Sequence, residues 1–395
     1  MQISKNCVAI APYLPPSTLP RALQLARMLP IFDLDMLVIT SIPDAKVKEM
    51  EILVIKKKNL SLFLGKVTAK VFPFLLRNFD LEFFWSISVC LKVLASKTKI
   101  STILTFSQPK SVHLVGFFVK KFKVSQVWIA HISDPISNNP HTKSNFVDRF
   151  LNKKWESLII KNADKIIVTN SRFRALLLQD YPHLNPEKVL DLLPIADFKL
   201  ASPREIGSKL KFIHTGSLYS GRSIECFCKA LQNISDTSSE VLDEVAFTFI
   251  GDLSSTNEAL LLNTGKSVHL KVLNARVSQE LSESACLSAD VLITIEAPVD
   301  SNPFFPSKIA DYISLPRHQL LLSKDGAAKD LFRNDCGFSF ADPSSPLEIE
   351  ESILTIHRLW KERNLQTPSL QSQNLFSAKY ASAKVERFLE DLNLQ

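Results

Sequence analysis

Short apolar segments alternate with helical patterns twice along the chain, and this alternation constrains the fold more than any other feature. In the first half the strand-like segments are CVAIA, MLVIT, STILTF, VWIAH and KIIVTN. In the second half KFIHTG, VAFTFIG, HLKVLN, DVLITIE, HQLLLS and GFSFA repeat the scheme. Uniformly apolar strands separated by helices are typical of parallel sheets covered on both faces. The pattern predicts an α/β fold with two doubly wound, Rossmann-like domains.

A polar stretch separates the two runs and predicts the domain boundary. It reads DFKLASPREIGSKL, from Asp197 to Leu210, and the chain of 395 residues is too long for one typical core. We predict a first domain over 1–198, a second over 199–370, and a C-terminal helix within 371–395 that packs back on the first domain. Because ligands bind at the carboxyl ends of the strands in such folds, the site is expected in a central cleft that both domains face.

The charge is unevenly spread between the halves. Residues 1–200 carry 28 lysines and arginines against 15 acidic residues, whereas residues 201–395 carry 19 against 25. A basic half indicates an anionic partner, namely a membrane surface, a phosphorylated ligand or a nucleic acid, with a solvated positive face as the alternative. Nucleic acid is disfavoured, because the aromatic residues lie within apolar runs and not between basic clusters.

Cysteine and metal signals are weak. The six cysteines are scattered and no His/Cys set has zinc spacing, which predicts a reduced cytoplasmic protein with no metal and no cofactor. The amino terminus does not read as a signal peptide. The most lipophilic stretch, residues 71–95, is interrupted by Arg77, Asp80 and Glu82. The longest uncharged piece nearby, residues 83–91, is too short for a membrane span, so the stretch predicts a helix that is buried or lies on lipid.

The segment SNPFFPSKIADYISL, Ser301 to Leu315, places two charges at the start of a predicted helix. Pro306 favours a helix beginning at Ser307, with Lys308 and Asp311 three residues apart. One interpretation is an ordinary salt bridge between these residues. The other is a site for the phosphate and ribose of a nucleotide. The local sequence leaves both open.

Several segments together resemble the GT-B glycosyltransferases, and most closely the family 4 (group 1) enzymes of bacterial surface-polysaccharide synthesis. HTGSLYSGRSIECFCKAL, ADVLITIEAP, FFPSKIADYISLPRHQLLLS and DCGFSFADPSSPLEIEESIL are similar to their donor-binding half. YLPPSTLPRALQLARMLPIFDLDMLVIT, VWIAHISDPISNNP and RFLNKKWESLIIKNADKIIVTNSRF are similar to their first half. The resemblance implies transfer of a sugar from a nucleotide-diphosphate donor to a saccharide acceptor, with retention.

The resemblance also implies donor-binding residues in the second domain. Gly216 allows close backbone approach, and Arg222 corresponds to the basic residue on the pyrophosphate, where a guanidinium binds in bidentate fashion. Lys308 is expected near the phosphates and Asp311 at the ribose hydroxyls. Arg276 falls where the family packs the nucleobase.

In the first domain the resemblance implies a catalytic and acceptor-binding segment. His131 and Asp134 are the candidate catalytic residues, which would orient the acceptor hydroxyl or stabilise cationic charge at the anomeric carbon. Ser17 and Thr18 are candidate acceptor-binding residues in the loop PYLPPSTLP.

Two departures from the family pattern favour an alternative, a catalytically silent GT-B-like subunit that binds a partner transferase. The loop PYLPPSTLP contains no glycine, and Pro303 occupies the position of the first of two carboxylates; Glu296 and Asp300 are nearby but out of register. A sugar-nucleotide epimerase shares the architecture, but the several acidic residues that its chemistry uses are missing.

The resemblance further implies partners and a location. Acceptors in such pathways are sugar chains on a polyprenyl diphosphate, used for O-antigen, capsule or exopolysaccharide. The lysines of the first half would hold the protein peripherally on the anionic inner face of the plasma membrane, from the cytoplasm. They form two groups: Lys56, Lys57 and Lys58; Lys120, Lys121 and Lys123.

Overall fold

The computed structural model describes residues 3–17, 19–57, 80, 82–96, 98–140, 145–198, 207–218 and 221–392. The chain divides into two compact units. The first comprises Met1–Ile195, Pro303–Phe305 and Ala378–Gln395, and the second comprises Ala196–Asn302 and Pro306–Ser377. The division near Ile195 lies three residues before the predicted boundary. Of the predicted linker, residues 199–206 lie outside the described residues.

The first unit contains a seven-stranded sheet in which every pairing is parallel, with the order β3-β2-β1-β4-β5-β6-β7. The strands are β1 (Cys7–Ile10), β2 (Met36–Thr40), β3 (Glu51–Val54), β4 (Ile100–Phe106), β5 (Ser125–Ile132), β6 (Lys165–Val168) and β7 (Val189–Asp191). The order runs outward in opposite directions from β1 and β4. The carboxyl ends of these two strands therefore form the switch point of the sheet, where doubly wound folds bind ligands.

Six helices accompany this sheet among the described residues. They are α1 (Pro20–Met28), α2 (Phe83–Leu94), α3 (His113–Lys121), α4 (Phe146–Asn162), α5 (Ser171–Asp180) and, numbered last in the chain, α14 (Ala378–Leu389). Short 3-10 turns lie at Leu29–Phe32, Lys110–Val112, Pro186–Lys188 and Glu390–Leu392.

Successive residues of the central strand pack into different cores, which explains the uniformly apolar strands. Val8 and Ile10 belong to one buried cluster, with Trp85 of α2 and Trp128 of β5. Cys7 and Ala9 belong to another, which also contains Val385 of α14. Because strand side chains alternate between faces, both faces of the sheet are buried.

The C-terminal helix α14 completes the second of these cores. Ala381, Val385 and Leu389 of α14 are buried there, and Lys384 Nζ donates to the backbone oxygen of Asp191 at 2.7 Å. Apolar side chains spaced four residues apart lie on one helix face, so the sequence of α14 alone favours this packing.

The second unit contains a six-stranded parallel sheet with the order β10-β9-β8-β11-β12-β13. The strands are β8 (Leu210–Thr215), β9 (Val245–Ile250), β10 (Leu270–Leu273), β11 (Val291–Ile295), β12 (His318–Leu322) and β13 (Phe338–Ala341). Strand order reverses between β8 and β11. The carboxyl ends of β8 and β11 are therefore the switch point of this sheet.

The helices of the second unit alternate with its strands. They are α6 (Glu225–Thr237), α7 (Ser239–Glu244), α8 (Ser255–Thr264), α9 (Gln279–Leu287), α10 (Lys308–Ile313), α11 (Ala327–Phe332), α12 (Pro346–Lys361) and α13 (Leu370–Asn374). The predicted helix beginning at Ser307 is α10, which is only six residues long.

Within the described ranges, none of the helices is both long and apolar enough to cross a membrane. The lipophilic stretch 71–95 is described only in part, and its described portion includes the 12-residue helix α2. Trp85, Val89 and Val93 of α2 are buried in the first core, while Leu91 is exposed. One face of helix α2 is therefore buried in the core of the first unit, which agrees with the predicted buried helix.

Candidate functional site

The switch point of the second sheet brings together the residues after β8 and β11. Thr215 ends β8 and is followed by Gly216, while Glu296 directly follows β11. Gly216 N donates to Ile250 O at 2.7 Å, and Glu296 N donates to Leu322 O at 2.9 Å, so the strand ends are tied into the sheet. Side chains placed here are held on rigid strands.

Lys308 extends from α10 to the end of β8. Its ammonium group donates to Thr215 O at 2.8 Å and lies 3.4 Å from His214 Nε2. Burial and the positive charge of Arg222 lower the pKa of Lys308 to about 7. A lysine with a lowered pKa at a switch point is a group that an incoming anion would recharge.

The buried side chain of His214 lies beside the ammonium group of Lys308. His214 Nδ1 lies 3.0 Å from Ile293 O and Nε2 lies 3.2 Å from Gly216 O, and because a carbonyl only accepts, either ring nitrogen can carry the proton. Burial and the charge of Lys308 hold the pKa of His214 well below its usual range. The imidazole is therefore neutral, and its Nε2 faces both Gly216 O and Lys308 Nζ.

Tyr312 holds α10 against the same strand end. Its hydroxyl oxygen accepts from Thr215 N at 2.9 Å and lies 3.1 Å from Thr215 Oγ1. Tyr312 is buried, and burial raises the pKa of its hydroxyl. Tyr312 and Lys308 thus bond to one residue of β8, which positions α10 at the switch point.

Two glycines let the backbone turns pack closely here. Gly216 has a φ of +115°, and a Cβ at this position would lie 3.0 Å from Lys308 Nζ. Gly251 has a φ of +151°, and its Cβ would lie 2.2 Å from Gly216 O. Positive φ and close approach both favour glycine. The predicted role of Gly216 in donor binding stays a prediction; its close contact with Lys308 is observed.

Arg222 lies in the turn that leads from β8 to α6. Asn257 of α8 holds this turn, since its side-chain amide donates to Arg222 O at 3.2 Å and its carbonyl accepts from Ile224 N at 3.3 Å. The charge of Arg222 acts on the pKa values of Lys308, Glu296 and His214. Arg222 therefore lies close enough to the switch point for its charge to act on these three groups, and the predicted phosphate site stays a prediction.

Glu296 is the buried carboxylate of this cluster. It is 3 % exposed, and the Ser323 hydroxyl donates to it. Burial raises the pKa of Glu296 to about 7, against the opposing effects of Ser323 and of the Arg222 charge. Glu296 is therefore partly protonated near neutral pH, and it can donate or accept a hydrogen bond.

Asp311 and Arg276, the other two predicted donor residues, occupy different settings. Asp311 lies on α10, and its negative charge raises the pKa of Lys308. This effect agrees with both interpretations of their spacing, a salt bridge or a nucleotide site. Arg276 is exposed and lies 3.2 Å from Asp252. Arg276 follows β10 and Asp252 follows β9, so both lie at the carboxyl edge of the second sheet.

In the first unit, Asp134 lies just beyond the carboxyl end of β5. Its Oδ2 accepts from Gln108 Nε2 at 3.1 Å and from Ser133 Oγ at 3.0 Å. Arg21 Nη1, from the first turn of α1, lies 3.9 Å from the same oxygen. Burial lowers the pKa of Arg21 to about 10, and Asp134 opposes this shift. The arrangement gives Asp134 a fixed orientation beside a cation.

His131 lies in β5 and is 3 % exposed. Among the described residues, neither of its ring nitrogens has a hydrogen-bond partner. Its ring packs on that of Phe106, with centroids 5.6 Å apart. Burial and the charge of Arg21 hold its pKa well below the usual range, so the ring is neutral. A neutral imidazole with two unused nitrogens can bind a hydroxyl group but adds no positive charge.

The two predicted acceptor-binding residues of the first loop differ in what the structure describes. Ser17 N donates to Leu14 O at 2.9 Å, which makes a tight turn before α1. Thr18 lies outside the described residues. Pro303, which the resemblance aligns with the first of two carboxylates, accepts through its backbone oxygen from Asn170 Nδ2 at 2.8 Å.

Four residues of these clusters were not predicted as site residues: Arg21, His214, Asn257 and Glu296. Glu296 was noticed but set aside as out of register. A signal existed for two of them, because His214 and Glu296 stand at the ends of predicted strands, where parallel sheets place ligand-binding groups. Arg21 and Asn257 lie on helices and gave no comparable signal.

Across the described part of the chain, no group of three or more His, Cys, Asp or Glu side chains is arranged to hold a metal ion. The cysteines are unpaired, and Cys336 is the exposed one. The chemistry that these clusters offer is anion binding in the second unit and hydroxyl binding in the first.

Comparison with known proteins gives matches at the level of structure. No family model matches the chain, and no curated protein is similar to it in sequence. An E. coli trehalose-6-phosphate protein bound with UDP-2-fluoro glucose aligns with a TM-score of 0.68 and 12 % identity, over 98 % of both chains.

Two further structures align over the same length. The α,α-trehalose-phosphate synthase (UDP-forming) from Burkholderia xenovorans, in complex with glucose-6-phosphate, has a TM-score of 0.66 at 10 % identity, over 98 % of this chain and 99 % of its own. A trehalose-6-phosphate synthase studied for glycosyl transfer with retention has a TM-score of 0.67 at 13 % identity, over 98 % and 99 %. Identities this low establish the fold alone. The prediction of an α/β fold with two Rossmann-like domains, the GT-B class, is confirmed.

Proposed function

We propose that the protein is a glycosyltransferase that takes a sugar from a nucleotide-diphosphate donor bound in the second domain. The observation that carries the proposal is the pair of cations, Arg222 and Lys308, at the switch point of the second sheet. Two cations close enough to lower the pKa of one of them indicate a site for an anion with more than one charge. A diphosphate has that charge, and guanidinium and ammonium groups are its usual partners.

The remaining donor contacts follow from the same cluster. We assign Asp311 to the ribose hydroxyls, because a carboxylate accepts from two hydroxyl donors. Glu296 is buried and the charge of Arg222 acts on its pKa, so we assign to it the role that Pro303 cannot take. Arg276, with Asp252, lies along the edge of the sheet where the base would extend.

The acceptor side belongs to the first domain. Asp134, held by Gln108 and Ser133, is assigned to orient the acceptor hydroxyl, and neutral His131 to hydrogen-bond a sugar hydroxyl. The acceptor oxygen bonds to the anomeric carbon as the bond from that carbon to the diphosphate breaks. The hydroxyl proton passes to the leaving diphosphate, whose charge Arg222 and Lys308 stabilise. Catalysis is then mainly positioning and charge stabilisation.

Retention, family 4 membership and the pathway complete the proposal. One structural neighbour is described in connection with transfer with retention, which is the outcome proposed here. Others are described with UDP-2-fluoro glucose and with glucose-6-phosphate, consistent with a nucleotide sugar and a saccharide as substrates. We propose a polyprenyl-diphosphate-linked saccharide as acceptor, in O-antigen, capsule or exopolysaccharide synthesis at the inner face of the plasma membrane.

One observation favours the second candidate, a catalytically silent subunit that binds a partner transferase. Pro303 replaces the expected carboxylate, and its backbone oxygen is engaged by Asn170 in the first unit. A silent subunit would keep the fold without needing donor-sugar contacts at this position.

Nucleotide binding separates the two candidates. Thermal melting with UDP, GDP and other nucleoside diphosphates should show stabilisation by at least one of them, about 2.7 kcal/mol at a hundredfold excess over Kd. Arg222→Ala and Lys308→Ala should remove the shift, whereas Lys229→Ala, an exposed lysine paired with Glu225, should not. The donor is then identified by incubation with nucleotide sugars and a membrane extract. Absence of any nucleotide shift would overturn the enzyme proposal and favour the silent subunit.

A further inference from the structure

The exposed face of helix α4 in the first unit is unusual in composition. Phe146, Val147 and Phe150 are 76 %, 46 % and 52 % exposed, although they are large and apolar. The Asn145 side chain caps the helix by accepting from Asp148 N at 2.8 Å, so its first turn is well formed. Residues at positions i and i+4 share a helix face, which places Phe146 and Phe150 side by side.

The charged residues on this face have one sign. Arg149, Lys153, Lys154 and Lys161 are exposed, and Lys154 Nζ lies 5.4 Å from the centre of the Phe150 ring. The helix is described throughout, and its two acids, Asp148 and Glu156, are both buried. The exposed face of α4 therefore combines aromatic and basic residues without an acid, the composition of helices that lie on anionic lipid.

The position of this face in the fold is also significant. Helix α4 begins after the loop that follows the carboxyl end of β5, so Phe146 lies toward the edge of the sheet that bears Asp134. Phe122 is also exposed, at 60 %, beside Lys121 and Lys123, but it lies between the end of α3 and the amino end of β5. That is the opposite edge of the sheet, because helix and strand run antiparallel in a βαβ unit.

Two of the lysines predicted to face lipid are engaged within the fold. Lys57 Nζ binds Glu82 at 2.5 Å, and Lys120 Nζ binds Asp164 at 2.7 Å. Lys58 lies outside the described residues. The exposed charges of α4 are therefore better placed to bind a surface than these two lysines.

We propose that the exposed face of α4 docks the first domain on an anionic lipid bilayer, with Phe146, Val147 and Phe150 entering the interface and Arg149, Lys153 and Lys154 binding lipid phosphates. This inference rests on the proposed function, because a lipid-linked acceptor must reach the edge of the sheet that bears Asp134. The site faces the bilayer from which its acceptor comes.

Flotation with vesicles tests this directly. The full chain is mixed with vesicles of phosphatidylcholine, with or without phosphatidylglycerol, and the bound fraction is measured. We expect binding to the anionic vesicles, release at high salt, and at least about tenfold weaker partition for Lys153→Gln/Lys154→Gln and for Phe146→Ser/Phe150→Ser. The matched control, Phe122→Ser/Lys123→Gln at the opposite edge, should change partition less than about twofold.

The docking proposal would be overturned by equal binding to neutral and anionic vesicles, by no loss in either α4 variant, or by a larger loss in the Phe122 control. Light scattering that shows a dimer, dispersed by Phe146→Ser/Phe150→Ser, would assign the face to a second copy instead. The lysine variant changes only solvated charges, so it remains usable if the aromatic variant folds poorly. The nucleotide-dependent melting shift is measured on the same variants. A nucleotide shift without lipid binding would contradict the docking proposal and leave the proposed glycosyltransferase function intact.

Discussion

The two sheets use the same topology but present different chemistry at their switch points. In the second unit, Arg222 and Lys308 lie near each other, and the lysine has a pKa lowered to about 7. In the first unit the cation Arg21 faces the carboxylate of Asp134, and the neighbouring His131 is neutral. The second cluster thus combines two cations with the carboxyl groups of Glu296 and Asp311, whereas the first combines one cation with one carboxylate. The same topology thus presents different charges at its two switch points, which is the basis for assigning the donor to the second domain and the acceptor hydroxyl to the first in the proposed function.

The largest expected effect concerns the backbone that supports the donor cluster. Gly251→Val places a Cβ 2.2 Å from Gly216 O at a φ of +151°, so the turns after β8 and β9 must separate. We expect a loss of more than about 4 kcal/mol in the free energy of unfolding of the second domain. Urea denaturation followed by circular dichroism measures it. As a control, Gly265→Ala, where the nearest atom would lie 3.4 Å from the new Cβ, should cost far less. Equal stability of the two variants would contradict the close packing of these turns.

The next effect sharpens the comparison between the two clusters. Asp134→Asn removes the acceptor-side charge, and we expect the transfer rate to fall by about a hundredfold while the nucleotide melting shift stays unchanged. The measurement is a transfer assay run beside thermal melting. Asp180→Asn changes a carboxylate elsewhere in the first unit, one that accepts from Asn138, and serves as the control. A fall in nucleotide binding with Asp134→Asn would contradict the assignment of the acceptor to the first domain and of the donor to the second.

The pH dependence of stability tests the buried carboxylate. The pKa of Glu296 is raised to about 7 in the folded protein, above its unfolded value of about 4.3. The folded state therefore holds a proton that the unfolded state releases, and stability falls as pH rises from about 4.3 to 7. Glu296→Gln removes this pH dependence, because a glutamine side chain does not titrate.

Relative to the native chain, Glu296→Gln should gain about 3 kcal/mol of stability between pH 5 and pH 8. Urea denaturation at the two pH values measures the gain. Glu225→Gln, at an exposed carboxylate whose pKa is lowered by Lys229, should show no such gain. A pH-independent difference for Glu296→Gln would mean that this carboxylate is ionised throughout.

The smallest effect concerns the turn that carries Arg222. Asn257→Ala removes the bonds to Arg222 O and Ile224 N, and we expect a loss of about 1–2 kcal/mol in stability. Nucleotide affinity should fall by about tenfold, because Arg222 is then less well positioned. Calorimetry and urea denaturation measure the two effects. Loss of stability with unchanged affinity would show that Asn257 supports the fold and not the position of Arg222.

Strand-helix alternation was sufficient to predict the fold class, because strands buried on both faces leave continuous apolar runs. The short edge strands β3 and β7 were not predicted, since Glu51–Val54 is partly exposed and Val189–Asp191 has only three residues. Helix α5 was also missed, although Asn170 caps it through a local hydrogen bond from Phe173 N, three residues on, so a signal was present in the sequence. Short and partly exposed elements depend on tertiary pairing, which local sequence does not encode.

The candidate site was predictable where the family resemblance and the carboxyl ends of the predicted strands pointed to the same residues. Lys308 and Arg222 are near one switch point, as the prediction requires, and their functional roles stay predictions. The i, i+3 spacing of Lys308 and Asp311 did not reveal that the ammonium group would donate to Thr215 O, a residue 93 positions away. Arg21 and Asp134 meet because α1 follows β1, Asp134 follows β5, and β1 and β5 both pair with β4 in the sheet. Such contacts follow from topology, and a single sequence contains no separate signal for them.

Calorimetric titration of the full chain with a nucleoside diphosphate at pH 8, in two buffers of different ionisation enthalpy, tests the central claim most directly. We expect binding with uptake of up to about one proton, because a diphosphate raises the lowered pKa of Lys308 and recharges its amine. Lys308→Met should abolish the uptake and Arg222→Ala the binding. Binding that takes up no proton and survives both substitutions, or no binding by any nucleoside diphosphate, would contradict a diphosphate site at the second switch point.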